Sequence, residues 1–422
     1  VSLAARRLSA GSLANASVAL PPDVDPLRLL AAHPREPRLY FAQPATGLAI
    51  AAVGAATAAV AAGPHRFATL DALRATTALP DDGLWVGGFA FADTAPGGVW
   101  RGFPAASLAA PRLAIVRRGD DARLVALADD AATARGLALA ARDALTAVRP
   151  DAAPPQRWTL TPATPPDAWR RRVAATVADI DAGRVGKVVL ARAVRVTADA
   201  ALDPLRVLAR LRAAQPECTV FGVGHGGAFF VGATPERLAR VTAGRLDTAA
   251  VAGTCLRGRG DALLASPKER AEHAFVVDAL RRRLAPLAAR LTIPDTPEVV
   301  GAGDVLHLRT PVTATLRPGR GLLDVVAALH PTPAVCGVPQ DDALRLLARR
   351  ERLARGWYAG GVGWVDAAGD GEIVVPLRCA LLRGRQATLF AGAGIVAGSD
   401  PDAELEETRL KLRPLLGALL EL

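Results

Sequence analysis

LFAGAGIVAGSDPDAELEETRLK, Leu389 to Lys411, is the stretch around which the rest of the chain is read. It opens on an apolar strand, Thr388 to Phe390. It then passes through Ala391-Gly392-Ala393-Gly394, where small side chains let a ligand approach backbone N–H groups. Asp400-Pro401 is a helix start, a capping carboxylate followed by a proline at the first helical position. Glu404, Glu407 and Lys411 follow at steps of three and four, so they share one helix face, while Glu406 points elsewhere. A carboxylate pair beside an ammonium, next to glycine-lined backbone, suits a divalent cation holding an anionic ligand. The same residues also suit a capped surface helix with an ordinary Glu–Lys pair, and only the remaining motifs decide between the two.

The chain has 422 residues, enough for a large core and, by length alone, for two or three domains. Its apolar half is mostly Ala, Val and Leu. Leu48 to Ala62 is the nearest approach to a membrane span, but it is short, Ala-rich and broken by Gly54, so it reads as a buried strand or helix. The N-terminal stretch has two arginines without a proper apolar core and cleavage site behind them, so a signal peptide is not expected. Cys218, Cys255, Cys336 and Cys379 are scattered, which argues against a zinc motif or a disulfide scaffold and fits a reducing, cytoplasmic setting. The net charge of +10 comes chiefly from arginine. No basic run is interleaved with aromatics, so nucleic acid is not the expected partner; capture of a small anion fits better.

Residues 1–110 read as short strands and turns, with a β run at Leu84–Phe91, and another strand follows at Pro111–Arg117. A helix is predicted over Asp129–Val148, then a proline-rich passage, Arg149–Pro166. Asp167 is expected to cap a helix whose apolar face is Trp169, Val173, Val177 and Ile180. Strands and helices alternate from there, with antiparallel pairs expected around Phe229–Val231 and Gly363–Val365.

Several motifs could carry chemistry. Lys187 heads the apolar strand Lys187–Val196, where partial desolvation would free a neutral amine as a base; a solvated strand-end lysine is the equal alternative. Glu236, just past Pro235 in FVGATPERL, can face a cleft as a general acid or simply start a helix. Thr248-Ala249-Ala250-Val251-Ala252-Gly253-Thr254, a small-residue strand and turn, could offer a backbone N–H and the Thr254 hydroxyl to a ligand, or only pack closely. Glu272, in SPKERAEH, is either an i,i+4 partner of Lys268 or a metal ligand meeting Glu407 across a cleft. His273 has no second histidine at helical spacing, which removes a zinc reading. Two prolines make His330–Gly337 a rigid turn suited to a pocket wall. Arg378 is a lone charge in an apolar strand spanning Glu372–Ala380, and a buried arginine there needs an anion.

Together, GKVVLAR, FVGATPERL, AGT, SPKERAEH, HPTPAVCG, YAGGVGW, EIVVPLRCA and the opening stretch resemble the chorismate-utilising enzymes, most closely the isochorismate synthases. The motifs occur in family order across residues 167–416, while residues 1–150 resemble the family more weakly. The resemblance implies one α+β unit over residues 1–422, two β-sheets packed face to face with helices outside and the active site between them. It implies Mg2+ held by Glu272 and Glu407 with Glu404 assisting. Arg378, Gly392 and Lys411 would hold the enolpyruvyl side of chorismate, and Thr254, Ala334, Val335, Tyr358 and Leu377 would line the pocket. Lys187 would be the base that activates water and Glu236 the acid that protonates the departing C4 hydroxyl.

Two positions distinguish members of that family. Lys187 stands where ammonia-using relatives typically carry glutamine, which points to water as nucleophile and to no glutaminase subunit. Ala334 stands where lyase members tend to carry threonine, a weaker discriminator. The resemblance therefore implies a monomeric isomerase converting chorismate to isochorismate for siderophore, salicylate or menaquinone synthesis. A salicylate synthase that also eliminates pyruvate, and an inactive chorismate-binding relative, are the alternatives.

Overall fold

The strand Arg38–Gln43 shows how this sequence builds a two-sided core. Every residue from Leu39 to Gln43 is buried, so the strand must be covered on both faces. In a computed structural model, which describes residues 12–146, 155–256, 258, 260–302 and 305–421, side chains at 254, 256, 268, 302 and 305 excepted, the strand's alternation sorts that burial. Leu39 and Phe41 join an apolar cluster with Trp85, Val86 and Val312 of a second sheet. Tyr40 and Ala42 join another with Ala138, Leu208 and Leu415 of three helices. The chain is α+β, two large antiparallel sheets facing each other with helices outside.

Among the described residues the first sheet has 12 strands and the second has 10. At the heart of the first sheet, Arg38–Gln43 pairs with Thr219–His225, which pairs in turn with Ala228–Thr234. Cys379–Arg383, Gln386–Ile395 and Lys187–Ala198 continue that order. The second sheet runs through Val305–Leu316, Arg245–Leu256, Arg237–Thr242, Gly371–Val374, Gly361–Asp366 and Leu84–Phe89. Early and late parts of the chain therefore share both sheets. The antiparallel pairs expected around Phe229–Val231 and Gly363–Val365 are present.

Leu48–Ala62 is two strands rather than one element. Leu48–Val53 lies in the first sheet and Thr57–Ala61 in the second. The chain turns between them at Gly54, whose φ of +68° is costly for any other residue. The helix predicted over Asp129–Val148 spans Ala131–Ala144, and Asp130 caps it by accepting the Thr133 N–H at 2.9 Å. Asp167 is not a cap: the helix begins at Pro166, and Asp167 instead pairs with Arg170 at 2.8 Å. Asp400 does cap Pro401–Leu420, accepting the Asp402 and Ala403 N–H groups at 3.0 and 2.8 Å. No helix among the described residues is long and apolar enough to cross a membrane.

Candidate active site

Two of the expected functional residues sit where the chain changes sheets. Ala228–Thr234 belongs to the first sheet and Arg237–Thr242 to the second, so Pro235-Glu236 forms the crossing. Pro235 cannot extend a ladder, and no helix follows, which removes the helix-start alternative for Glu236. Arg378 is not inside one apolar strand, as expected above. Gly371–Val374 lies in the second sheet and Cys379–Arg383 in the first, and Val375–Arg378 crosses back. The two crossings are laced together. The Val375 N–H donates to the Glu236 carbonyl at 2.9 Å, the Thr234 hydroxyl to the Val375 carbonyl at 2.6 Å, and the Ala233 N–H to the Arg378 carbonyl at 3.3 Å. Arg378 itself takes φ +44°, strained backbone of a kind that clusters at functional sites.

A cavity of about 560 Å³ opens at this seam. Lys187 heads its strand as expected and is 2% exposed. Its Nζ lies 2.6 Å from Glu272 Oε1, on the helix Pro267–Leu284. Glu272 therefore pairs across the fold, and the Lys268 side chain lies outside the described residues. On the helix Pro401–Leu420, Lys411 Nζ lies 2.6 Å from Glu407 Oε1 and donates to the Gly392 carbonyl at 3.0 Å. All four groups line the cavity, together with Glu236, Ala334, Val335, Tyr358, Leu377, Arg378 and Gly392. Gly392 and Gly394 are strand residues, because the strand from Gln386 runs on to Ile395. Their role is space. A Cβ on Gly394 would stand 3.1 Å from both Glu272 Oε1 and Lys187 Cε, and one on Gly392 would stand 2.8 Å from Tyr358 Oη.

Burial sets the protonation states. It pushes the Glu236 carboxyl up to about 7, against the pull of the Lys187 and Lys411 ammoniums. Burial works the same way on Glu407, but there the adjoining Lys411 ammonium wins and holds the carboxyl below its usual value. One cavity thus contains a carboxyl poised to carry a proton near neutral pH and another kept anionic, which is how a site separates an acid from a ligand.

One expected member needs correction. Glu404 does not line the cavity; it is 7% exposed and buried within the fold. Its three-residue step from Glu407 turns it by about 60° around the helix, enough to leave the cavity wall. The Thr254 side chain lies outside the described residues. One residue was missed. His307, on Val305–Leu316, lines the cavity with its Nδ1 3.3 Å from the Gly253 carbonyl. Burial, reinforced by the Lys411 and Arg378 cations, lowers its imidazole to about 4, so it is neutral at neutral pH. The cavity also extends to Gln43 and Arg237, which both donate to the buried Glu372 carboxylate at 2.7 Å.

Glu272 and Glu407 are oxygen donors of the kind Mg2+ takes, although no group of three or more His, Cys, Asp or Glu side chains placed to hold a metal occurs among the described residues. The two carboxylates bring hard anionic oxygens to one cavity from separate helices, and Lys187, bonded to Glu272, also helps stabilise the Glu407 anion. In this structure a lysine ammonium balances each carboxylate.

A cleft between two facing antiparallel sheets, with acidic and basic groups mounted on the crossings, defines an α+β enzyme class. Anthranilate synthase component I from Streptococcus pneumoniae has this fold, with a TM-score of 0.74 at 21% identity, covering 87% of this chain and 92% of that one. The chain belongs to the chorismate binding enzyme family, whose profile matches residues 2–420. It is 37% identical over 422 aligned residues to the salicylate biosynthesis isochorismate synthase of Pseudomonas aeruginosa, covering 94% of this chain and 88% of that protein. It is 38% identical over 242 residues to the isochorismate synthase EntC of Escherichia coli, covering 55% of this chain and 62% of that protein. The structure of MenF, the menaquinone-specific isochorismate synthase of Escherichia coli, matches with a TM-score of 0.81 at 27% identity, covering 96% of this chain and 94% of that one.

Proposed function

We propose that the protein is a Mg2+-dependent isochorismate synthase that converts chorismate to isochorismate. The observation that carries this reading is the convergence of Lys187 and Glu236, from different sheet elements, on one cavity whose wall includes Glu272 and Glu407. Lys187, acting as the neutral amine, takes a proton from the water that attacks C2. Glu236, protonated below about 7, gives its proton to the C4 hydroxyl, which leaves as water as the ring double bonds shift. One water enters and one leaves, so the reaction is a net isomerisation.

Glu272 and Glu407 would hold Mg2+, which offsets substrate carboxylate charge when bound. Arg378 and Lys411 supply further cations for the enolpyruvyl carboxylate, with Ala334, Val335, Tyr358 and Leu377 as the pocket wall. The Thr254 hydroxyl is proposed as a further contact. Residues 1–422 act as a single monomeric unit, in the cytoplasm, without a glutaminase subunit, nucleic acid or membrane as partner. The product would feed siderophore, salicylate or menaquinone synthesis.

The test is chromatography of the products from purified protein, chorismate and Mg2+. Isochorismate alone is expected. Salicylate with pyruvate would replace this reading with the lyase, an ammonia-dependent product with an amination enzyme, and binding without turnover with an inactive relative.

A further inference from the structure

The strand that carries Lys187 has a gap along one edge. On one side, Gln386–Ile395 pairs with it from Val188 to Thr197. On the other side, Gly337–Val338 pairs only with Lys187 and Val188, and Trp158–Pro162 only with Val194 to Ala198. Between them, buried backbone groups need partners. The Val189 N–H donates to the Cys336 carbonyl at 2.8 Å. The remaining partners nearest Lys187 are side chains: Arg355 Nη2 donates to the Val189 carbonyl at 2.7 Å, and Glu351 Oε2 accepts the Ala191 N–H at 2.9 Å.

We infer that Glu351 and Arg355 form a positioning pair for the reaction, standing in for the missing strand and fixing the Lys187 strand against the Val335 wall of the pocket. The inference rests on the isochorismate synthase reading. The pair is itself buried, at 5% and 4% exposure, and joined by two bonds, Arg355 Nε to Glu351 Oε1 at 2.7 Å and Nη2 to Oε2 at 2.6 Å. Arg355 Nη1 donates to the Val335 carbonyl at 2.7 Å, and the guanidinium carbon lies 4.2 Å from the Phe91 ring centroid. Val189 and Val335 both line the cavity, and Val189 shares a strand face with Lys187. A buried ion pair adds little stability that apolar residues could not supply; what it adds is defined directions. Lysine cannot reproduce the fork that reaches two carbonyls and a carboxylate at once. The expected substrate-carboxylate contacts, Arg378 and Lys411, lie on other elements, so loosening this pair acts on turnover more than on substrate affinity.

The experiment measures isochorismate formation and thermal unfolding for the wild type, Arg355→Lys, Glu351→Gln and, as a control, Leu208→Ala in the core beneath the first sheet. Arg355→Lys is expected to lower kcat by about 10- to 100-fold with KM for chorismate changed by less than about threefold. Glu351→Gln, which keeps an acceptor for the Ala191 N–H, should fall between it and the wild type. Leu208→Ala, destabilised by packing loss, should keep kcat within about twofold while folded. An unchanged kcat in the pair variants, a loss confined to KM, an equal loss of kcat in Leu208→Ala, or failure of both pair variants to fold overturns the inference. An inactive wild type sinks the functional reading and this inference with it, whereas an active wild type with unaffected pair variants sinks this inference alone.

Discussion

Lys187 Nζ and Glu272 Oε1 are 2.6 Å apart although 85 positions separate them in the chain. A strand start and a helix face are thereby locked together on the cavity wall. If Lys187 is the base, Lys187→Ala should lower isochorismate formation by about a hundred- to ten-thousand-fold while chorismate still binds. Initial rates and calorimetric titration check both parts, and full activity removes the assignment.

Glu236 should report itself through pH. Its carboxyl titrates near 7 in the fold and near 4.5 when unfolded, so the folded state keeps a proton that the unfolded chain loses. Stability is therefore lost as pH rises through 7, by up to about 3 kcal/mol. Glu236→Gln removes that ionisation. It should unfold at a higher temperature than the wild type at pH 8, with the advantage gone by pH 4, and have severely reduced turnover. The wild-type rate should also fall on the alkaline side with an apparent pKa near 7. A flat profile across pH 6–8 would contradict an acid role.

Metal dependence should follow the carboxylates. Glu272→Gln and Glu407→Gln each remove one anionic donor, so the Mg2+ concentration giving half-maximal rate should rise at least about tenfold. Rates titrated with Mg2+ test this, and wild-type turnover that persists in EDTA would refute it.

The two glycines of the strand Gln386–Ile395 separate structural from chemical damage. A Cβ at Gly392 meets the Leu190 carbonyl at 2.9 Å as well as Tyr358 Oη, so Gly392→Ala should cost about 1–3 kcal/mol of stability. A Cβ at Gly394 meets mainly the movable Lys187 and Glu272 side chains. Gly394→Ala should fold nearly as well as the wild type yet turn over far more slowly. Thermal unfolding and kcat measured together decide it; equal effects of both substitutions on both quantities would fail the prediction.

His330 predicts acid lability. Burial lowers its imidazole to about 3, its ring packs against Phe89 at 4.8 Å, and its Nε2 lies 3.0 Å from the Phe91 carbonyl. Between pH 6.5 and 3 the unfolded chain binds a proton that the fold refuses, so stability present above 6.5 falls as pH drops. His330→Gln keeps an N–H donor without titrating and should flatten that fall in unfolding temperature. An unchanged slope would exclude His330 as its source.

Reading outward from Leu389–Lys411 located the capped helix and the Lys187 strand, because those signals are local, whereas pocket residues such as Ala334, Tyr358 and Leu377 followed only from the family resemblance. A capping carboxylate acts within three residues, a helix face repeats within four, and small residues mark close approach wherever they fall. Sheet membership is not local. Pro235 and Pro376 mark breaks within FVGATPERL and EIVVPLRCA, but which sheet the chain joins next depends on which neighbours wait across the ladder. For the same reason Glu272 had a plausible local partner in Lys268, while its partner across the fold is Lys187. His307 passed unnoticed because a lone histidine in an apolar strand carries no spacing signal. Glu404 shared a helix face with Glu407 by sequence arithmetic, yet packing left it off the cavity wall. Residue chemistry and element boundaries follow from short-range sterics and hydrogen bonding. Which charges meet, and how far each is desolvated, follows only from the way distant strands and helices close around one another.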